Sequence, residues 1–294
     1  MKTKLKPIED QVIVITGASS GIGLTTALLA AERRASLVLV ARSEDTLNEL
    51  RQRLAASGTR VACVAADVAD REALADVARI AIERFGRIDT WVNNAGGSVY
   101  ARLDEISDDD ARRLFETNFW GTVYGSQVAL PYLKRQGGAL INVGSEVSDA
   151  VIPYQGMYSA SKHAVKGYTD ALRVELEHLD KAPVEVVLIQ PTAVDTPFDE
   201  HARNYLAEEP TLPTPMINPE DVAEAILKAA EKGGRDIKVG AMSKINTLTA
   251  KVAPRLGDRM SAMQAERQKR DEPARDREGS LHRPGEDGRA HGRH

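Results

Sequence analysis

Tyr158 and Lys162, in Tyr158-Ser159-Ala160-Ser161-Lys162, put a phenol and an ammonium one helical turn apart on one face of a helix. A free tyrosine titrates near about pH 10, and a cation beside it favours the phenolate, moving the hydroxyl toward the range in which general acid–base catalysis operates. Ser145 precedes the tyrosine by thirteen residues and follows an apolar run, so its hydroxyl belongs at the carboxyl edge of a strand, where open α/β sheets bind ligands. There it would donate to a substrate oxygen and stabilise developing negative charge. Tyr-x-x-x-Lys by itself also arises by chance on many helices, so its surroundings must carry the chemistry.

Those surroundings begin with Gln11-Val12-Ile13-Val14-Ile15, a β-branched run of the kind buried on both faces of a sheet. Thr16-Gly17-Ala18-Ser19-Ser20-Gly21-Ile22-Gly23 follows, and a helical run extends from Leu24 to about Arg34. Strand, glycine turn and helix N-terminus together form an anion site, because glycines let a pyrophosphate approach amides at the positive end of the helix. The glycine spacing is G-x-x-x-G-x-G rather than the commoner G-x-G-x-x-G.

T-G-x-x-x-G-x-G, Asn93-Asn94-Ala95-Gly96, Ser145 and Tyr158-x-x-x-Lys162 occur in an order and at spacings that resemble the short-chain dehydrogenase/reductase family, over about residues 8 to 240. The resemblance implies a Rossmann-type α/β fold, a doubly wound parallel sheet of about seven strands with helices on both faces. It implies a nicotinamide dinucleotide held by Gly17, Ser19, Ser20, Gly21, Ile22 and Gly23, by Asp67 at the adenine with the Val68 amide beside it, and by Asn94, Ala95 and Gly96 along its edge. Ile189-Gln190-Pro191-Thr192-Ala193-Val194-Asp195-Thr196-Pro197 resembles the family's proline-glycine segment, which assigns the carboxamide end to Pro191, Val194 and Thr196; Thr192 stands where the family commonly has glycine. By the same resemblance Tyr158 is the acid–base, Ser145 positions substrate, Lys162 lowers the tyrosine pKa and binds the nicotinamide ribose, and Asn118 holds a water in a proton relay. Asn118 is also a misfit in its own right, an asparagine inside a long helical stretch.

Ala41-Arg42-Ser43 ends the second strand, where the fold chooses its cofactor. A carboxylate there would bind the ribose diol and repel a 2′-phosphate, whereas the planar fork of Arg42 can clamp that phosphate. Arg42 therefore favours NADP (NADPH) over NAD, and the resemblance implies the same, since Arg42 and Ser43 stand as the family's NADP-preferring members place theirs; the alternative is an exposed loop cation. Asp70 reads equally well as a helix N-cap.

Apolar runs at 12–15, 37–41, 61–66, 88–92, 139–143, 184–190 and 237–239 supply the seven strands, and helical segments fall between them, including 44–56, 71–85, 108–136, 157–179 and 219–232. Residues 1–10 are a lead-in and 11–240 one catalytic domain. Within it the proline-rich 198–218 is a candidate substrate lid, and Tyr100, Tyr154, Phe198 and Tyr205 suggest an apolar carbonyl substrate. Residues 241–263 repeat apolar positions at helical spacing, broken by Pro254, as an amphipathic extension for packing, with membrane-surface or partner contact a lesser alternative. Residues 264–294 are so polar that disorder is expected.

With 294 residues, 42% hydrophobic, and net charge −4, the chain can bury a full core, and nothing in its charge suggests nucleic acid. No apolar run reaches the ~20 residues of a membrane span, no signal-peptide core opens the chain, and the single cysteine, Cys63, excludes a disulfide framework, so a cytoplasmic protein is expected. The histidines form no metal-binding pattern, and no nucleophile elbow surrounds Ser145. The reading is an NADP(H)-dependent oxidoreductase acting on a small ketone, aldehyde or secondary alcohol, a homodimer or homotetramer through the long helices. A non-catalytic NADP-binding sensor or scaffold, and an isomerase or dehydratase of related fold, are the alternatives.

Overall fold

A computed structural model describes residues 4–285 and 288–293. Its elements in chain order are β1 (Val12–Thr16), α1 (Gly21–Glu32), β2 (Ser36–Ala41), α2 (Glu44–Ala56), β3 (Val61–Ala65), α3 (Arg71–Phe85), β4 (Thr90–Asn93), β5 (Val99–Tyr100), α4 (Asp108–Phe115), α5 (Gly121–Gln136), β6 (Gly138–Val143), α6 (Gly156–Val174), β7 (Val184–Pro191), β8 (Arg203–Asn204), β9 (Glu208–Pro210), α7 (Pro219–Lys232), β10 (Asp236–Val239), α8 (Ala241–Val252), α9 (Pro254–Gln264) and β11 (Lys269–Pro273). Seven strands make one parallel sheet in the order β10-β7-β6-β4-β1-β2-β3.

The hydrophobic pattern explains the layering. β1, β2, β4 and β6 are buried at every position, as strands covered on both faces must be, while the edge strands β3 and β10 are only half-buried. One core cluster joins Ile13, Ile15, Leu37 and Leu39 to α1 and α7; the other joins Val12, Val14, Val38 and Val40 to α3 and α5. Alternate residues of β1 therefore serve opposite layers. Asp70 caps α3, its Oδ1 accepting from Glu72 N at 2.9 Å and Ala73 N at 3.2 Å, as the N-cap reading expected.

Both long helices contain a wider turn. Residues 108–136 pass from α4 to α5 through a π-helical turn, Glu116–Trp120, and α6 ends in another, Glu175–Leu179. The first carries Asn118, which resolves the misfit: the widened turn seats a buried amide within an otherwise regular helix.

Two parts of the chain differ from the sequence expectation. The 198–218 segment is stitched down rather than loose. β8 pairs with β5, β9 pairs with β11, and Asp199, Ala202 and Leu206 are buried. The tail, expected to be disordered, contributes β11 and then runs back across the carboxyl edge of the sheet, with Leu281 buried against Val99, Ala101 and Leu114. Its hold comes from main-chain carbonyls, arginines and one leucine, interactions that hydrophobic composition does not register. No helix among the described residues is long and apolar enough to cross a membrane.

Candidate active site

Ser145 leaves β6 in extended conformation and caps the short turn Glu146–Ser148. Its Oγ accepts from Val147 N at 3.3 Å, and its own amide donates to Ser148 Oγ at 3.2 Å. Tyr158 lies in the first turn of α6, its ring 5.5 Å from that of Phe198, and it lines the same cleft as Ser145, whose side chain favours the phenolate. Lys162, one turn on and buried, donates to Val143 O at 2.8 Å with its ammonium 5.8 Å from the centre of the tyrosine ring. The three side chains thus meet where β6 ends.

The expected depression of the tyrosine pKa does not occur in this state. Burial pushes the Tyr158 hydroxyl up to about 12, outweighing the opposing effect of the Ser145 side chain, while Glu146 adds a smaller upward push. Burial also lowers the Lys162 ammonium to about 8. Desolvation penalises whichever form is charged, so it favours the neutral phenol and the neutral amine alike, raising the tyrosine pKa and lowering that of the lysine.

Asn118 is fully buried and ties this floor to the loop after β4. Its Oδ1 accepts from Gly97 N at 2.9 Å, while its Nδ2 donates to Gly97 O at 3.0 Å and to Ser161 Oγ at 3.0 Å. Gly96 fits between, since a Cβ built there would lie 3.1 Å from Asn118 Oδ1 and 3.7 Å from Lys162 Nζ.

Beside the floor runs a cleft of about 250 Å³, lined by Gly17, Ser19 to Ile22, Arg42, Ser43, Asp67, Val68, Asn94 to Gly96, Ser145, Tyr158, Lys162, Pro191, Val194 and Thr196. All the proposed nucleotide contacts therefore face one cavity except Gly23, which lies behind it. A Cβ at Gly23 would fall on the Gly17 carbonyl, and one at Gly17, whose φ is +67°, would lie 2.8 Å from Ala95 Cα. Only glycine permits this close passage of turn and helix. Asn94 secures the turn by donating to Thr16 O at 2.9 Å and Gly17 O at 3.2 Å, and Thr16 Oγ1 accepts from the amides of Asn94 and Ala95. The cradle fits a dinucleotide: a bare glycine turn at a helix N-terminus, a cation at the end of β2, and a proton-donating floor at the far end.

At the adenosine end, Asp67 accepts from Ala69 N at 3.0 Å and pairs with Arg113. Arg113 carried no motif and was missed, since only the fold brings α4 beside β3. Arg42 donates to the main-chain carbonyls of Ser280 and Leu281, the latter at 3.1 Å, and Gly21 N donates to Arg289 O at 2.8 Å. Tail atoms thus meet two of the donors assigned to the nucleotide.

At the other end, Thr196 packs on Gly21, and its hydroxyl donates to Val194 O at 3.4 Å. Thr192 turns its methyl toward Gly240, whose φ is +90°, so the side chain replacing the usual glycine is absorbed by the start of α8. Glu146, also missed, is half-buried at the cleft wall with its pKa raised by desolvation there; Asn246 donates to its carboxylate at 3.0 Å. Its only sequence signal was adjacency to Ser145.

Of the four aromatics, one faces the cleft. Phe198 lines the cleft, but Tyr100 is wholly buried, Tyr205 donates to Asp110 at 2.7 Å, and Tyr154 packs under Lys269. No group of histidine, cysteine or acidic side chains among the described residues is arranged to hold a metal. His163 bonds Ser159 O within its own helix.

Residues 11–206 match the family model described as short chain dehydrogenase. An uncharacterized oxidoreductase of Bacillus subtilis is 47% identical over 262 residues, covering 88% of this chain and 73% of the relative. A short chain dehydrogenase from Burkholderia cenocepacia in complex with NADP superposes with a TM-score of 0.73 at 28% identity, covering 87% of this chain and 99% of that one. One from Burkholderia phymatum in complex with NAD also gives 0.73, at 27% identity, covering 85% and 96%.

Proposed function

The chain belongs to the short chain dehydrogenase family and is an oxidoreductase, and from that premise we propose that it transfers hydride reversibly between NADP(H) and a ketone, aldehyde or secondary alcohol. The observation that carries the proposal is that Ser145, Tyr158 and, one helical turn on, Lys162 line the same cleft that the glycine turn opens. The nucleotide, when bound, supplies the hydride. The protein supplies orientation and the proton.

Tyr158 is protonated across the neutral range and is placed to give its proton to a carbonyl oxygen as negative charge develops there. Ser145 donates to that same oxygen and fixes it against the tyrosine. Lys162 offers an ammonium to the ribose hydroxyls and, while charged, favours the phenolate left behind. Asn118, through Gly97 and Ser161, keeps the floor in register and would hold the relay water beside Lys162. Arg42 and Ser43 would take the 2′-phosphate, which is the basis for NADP over NAD. Exposed Trp120, Val174 and Leu179 on the long helices favour a homodimer or homotetramer, which light scattering would resolve.

The test is absorbance at the nicotinamide band with NADPH or NADH against ketones, quinones, aldehydes and steroids. NADPH oxidation with at least one compound is expected. Tight binding of NADPH with no turnover across the panel would favour the sensor instead.

A further inference from the structure

The tail crosses the cofactor cleft at the places where a dinucleotide's phosphates belong. Gly21 N, the first amide of α1 and thus the core of the anion site, donates to Arg289 O at 2.8 Å, and both Arg42 contacts go to the Ser280 and Leu281 carbonyls. Arg113, which pairs with Asp67, also donates to Leu281 O at 3.2 Å. Ser280, Pro284, Gly285 and Gly288 form part of the cleft wall, and a Cβ on Gly288 would lie 3.1 Å from the Thr46 methyl beside Ser43. The donors of the adenosine half are met by carbonyl oxygens, the neutral counterparts of phosphate oxygens.

On these contacts, and on the reading of the cleft as a nicotinamide nucleotide site, we propose that residues 280–285 and 288–293 are an internal competitor for the cofactor, a strap that must leave the adenosine half before NADP(H) can bind. Each end of the strap is fastened. At its near end, Ser280 N donates to His201 O at 2.8 Å and Leu281 is buried beside Val99 and Leu114, and just before it Arg203 reaches Arg277 O at 2.8 Å. Toward its far end, Arg289 pairs with Glu200 at 2.7 Å, and His291 with Asp195 at 2.9 Å. Leu281 supplies an apolar anchor, whereas the distal fastenings are polar and partly exposed, worth little each and weakened by salt. Such a strap opens on its polar, distal side while the part anchored by Leu281 stays bound. Because Arg42 and the Gly21 amide cannot serve both ligands fully, the apparent affinity for nucleotide is reduced by the fraction of molecules whose strap is open.

The experiment compares NADPH titrations, by calorimetry or by quenching of tryptophan fluorescence, of the full chain, a chain ending at Gly279 and full-length Leu281→Asp. Amide exchange of the tail is followed with and without NADPH. The strap predicts that the shortened chain binds NADPH about tenfold or more tightly than the full chain, that Leu281→Asp falls between, and that NADPH speeds exchange of tail amides in the full chain. Equal or weaker binding by the shortened chain, with tail amides unchanged or protected by NADPH, overturns it: the tail would then be inert, or a cover that closes over bound cofactor. Should the shortened chain lose its circular dichroism signature, Leu281→Asp and amide exchange decide by the same signs. No nucleotide binding by any folded form would overturn the cofactor reading along with the strap, whereas equal binding by all removes the strap alone.

Discussion

The two ends of the cleft are built from different material. At the nicotinamide end, Ser145, Tyr158 and Lys162 sit on β6 and α6, fixed by buried elements and by hydrogen bonds to Val143, Val147 and Ser148. At the adenosine end, Arg42 and Gly21 meet a segment more than two hundred residues away in sequence, fastened largely through carbonyls and ion pairs. The first region is rigid because its contacts are buried and local to the sheet. The second can exchange partners, because what the tail offers there a nucleotide also offers. The difference teaches that chemistry and access are separable in this fold, and substitutions should separate them.

Loss at the rigid end should be largest. Lys162→Met removes the ammonium beside Tyr158 and should lower kcat by about 10²–10⁴-fold, read by steady-state turnover; a tenfold or smaller loss would show that the lysine is no more than packing. At the hinge between the two regions, Gly23→Ala sets a methyl against the Gly17 carbonyl. It should cost about 1–3 kcal/mol in denaturant unfolding and weaken nucleotide binding, whereas a variant of unchanged stability would mean that the turn can give way.

At the exchangeable end the effect is smaller and selective. Arg42→Ala should reduce the preference for NADPH over NADH by about tenfold, the worth of a charged hydrogen bond. The ratio is the quantity to measure, because loosening the tail helps both nucleotides alike. An unchanged ratio would return Arg42 to the role of a loop cation.

The least effect is in pH. Lys162 titrates near about 8 in the fold against an ordinary 10.5, so kcat/KM for reduction should fall as pH rises through about 8 and the ammonium is lost. Stability should move the other way: between these values the unfolded chain holds the proton that the folded chain has released, so unfolding becomes harder as pH rises. Denaturant midpoints measured across that window should climb, and Lys162→Met should flatten the climb.

The legible parts of this molecule are those written in short spans. Seven apolar runs match seven strands of one sheet; the glycine turn and Asn94 follow strand ends on one edge, and α6 brings Tyr158 and Lys162 to the same cleft. The illegible parts depend on distant partners. Arg113 reaches Asp67 only through the placement of α4, and the tyrosine pKa depends on burial that spacing does not report. Tyr100 and Tyr205 face inward to Thr211 and Asp110, so loop aromatics misled as guides to the substrate. The tail looked disordered because polar composition measures the lack of apolar burial; it does not count carbonyls aimed at arginines.

The most direct test of the account is Tyr158→Phe, with NADPH binding followed by fluorescence alongside turnover of a carbonyl compound accepted by the wild type. The account predicts unchanged NADPH affinity and a fall in kcat of about 10²–10⁴-fold, the proton donor being removed while the cleft stays intact. Turnover near that of the wild type would contradict it and move the proton to another group on the cleft floor.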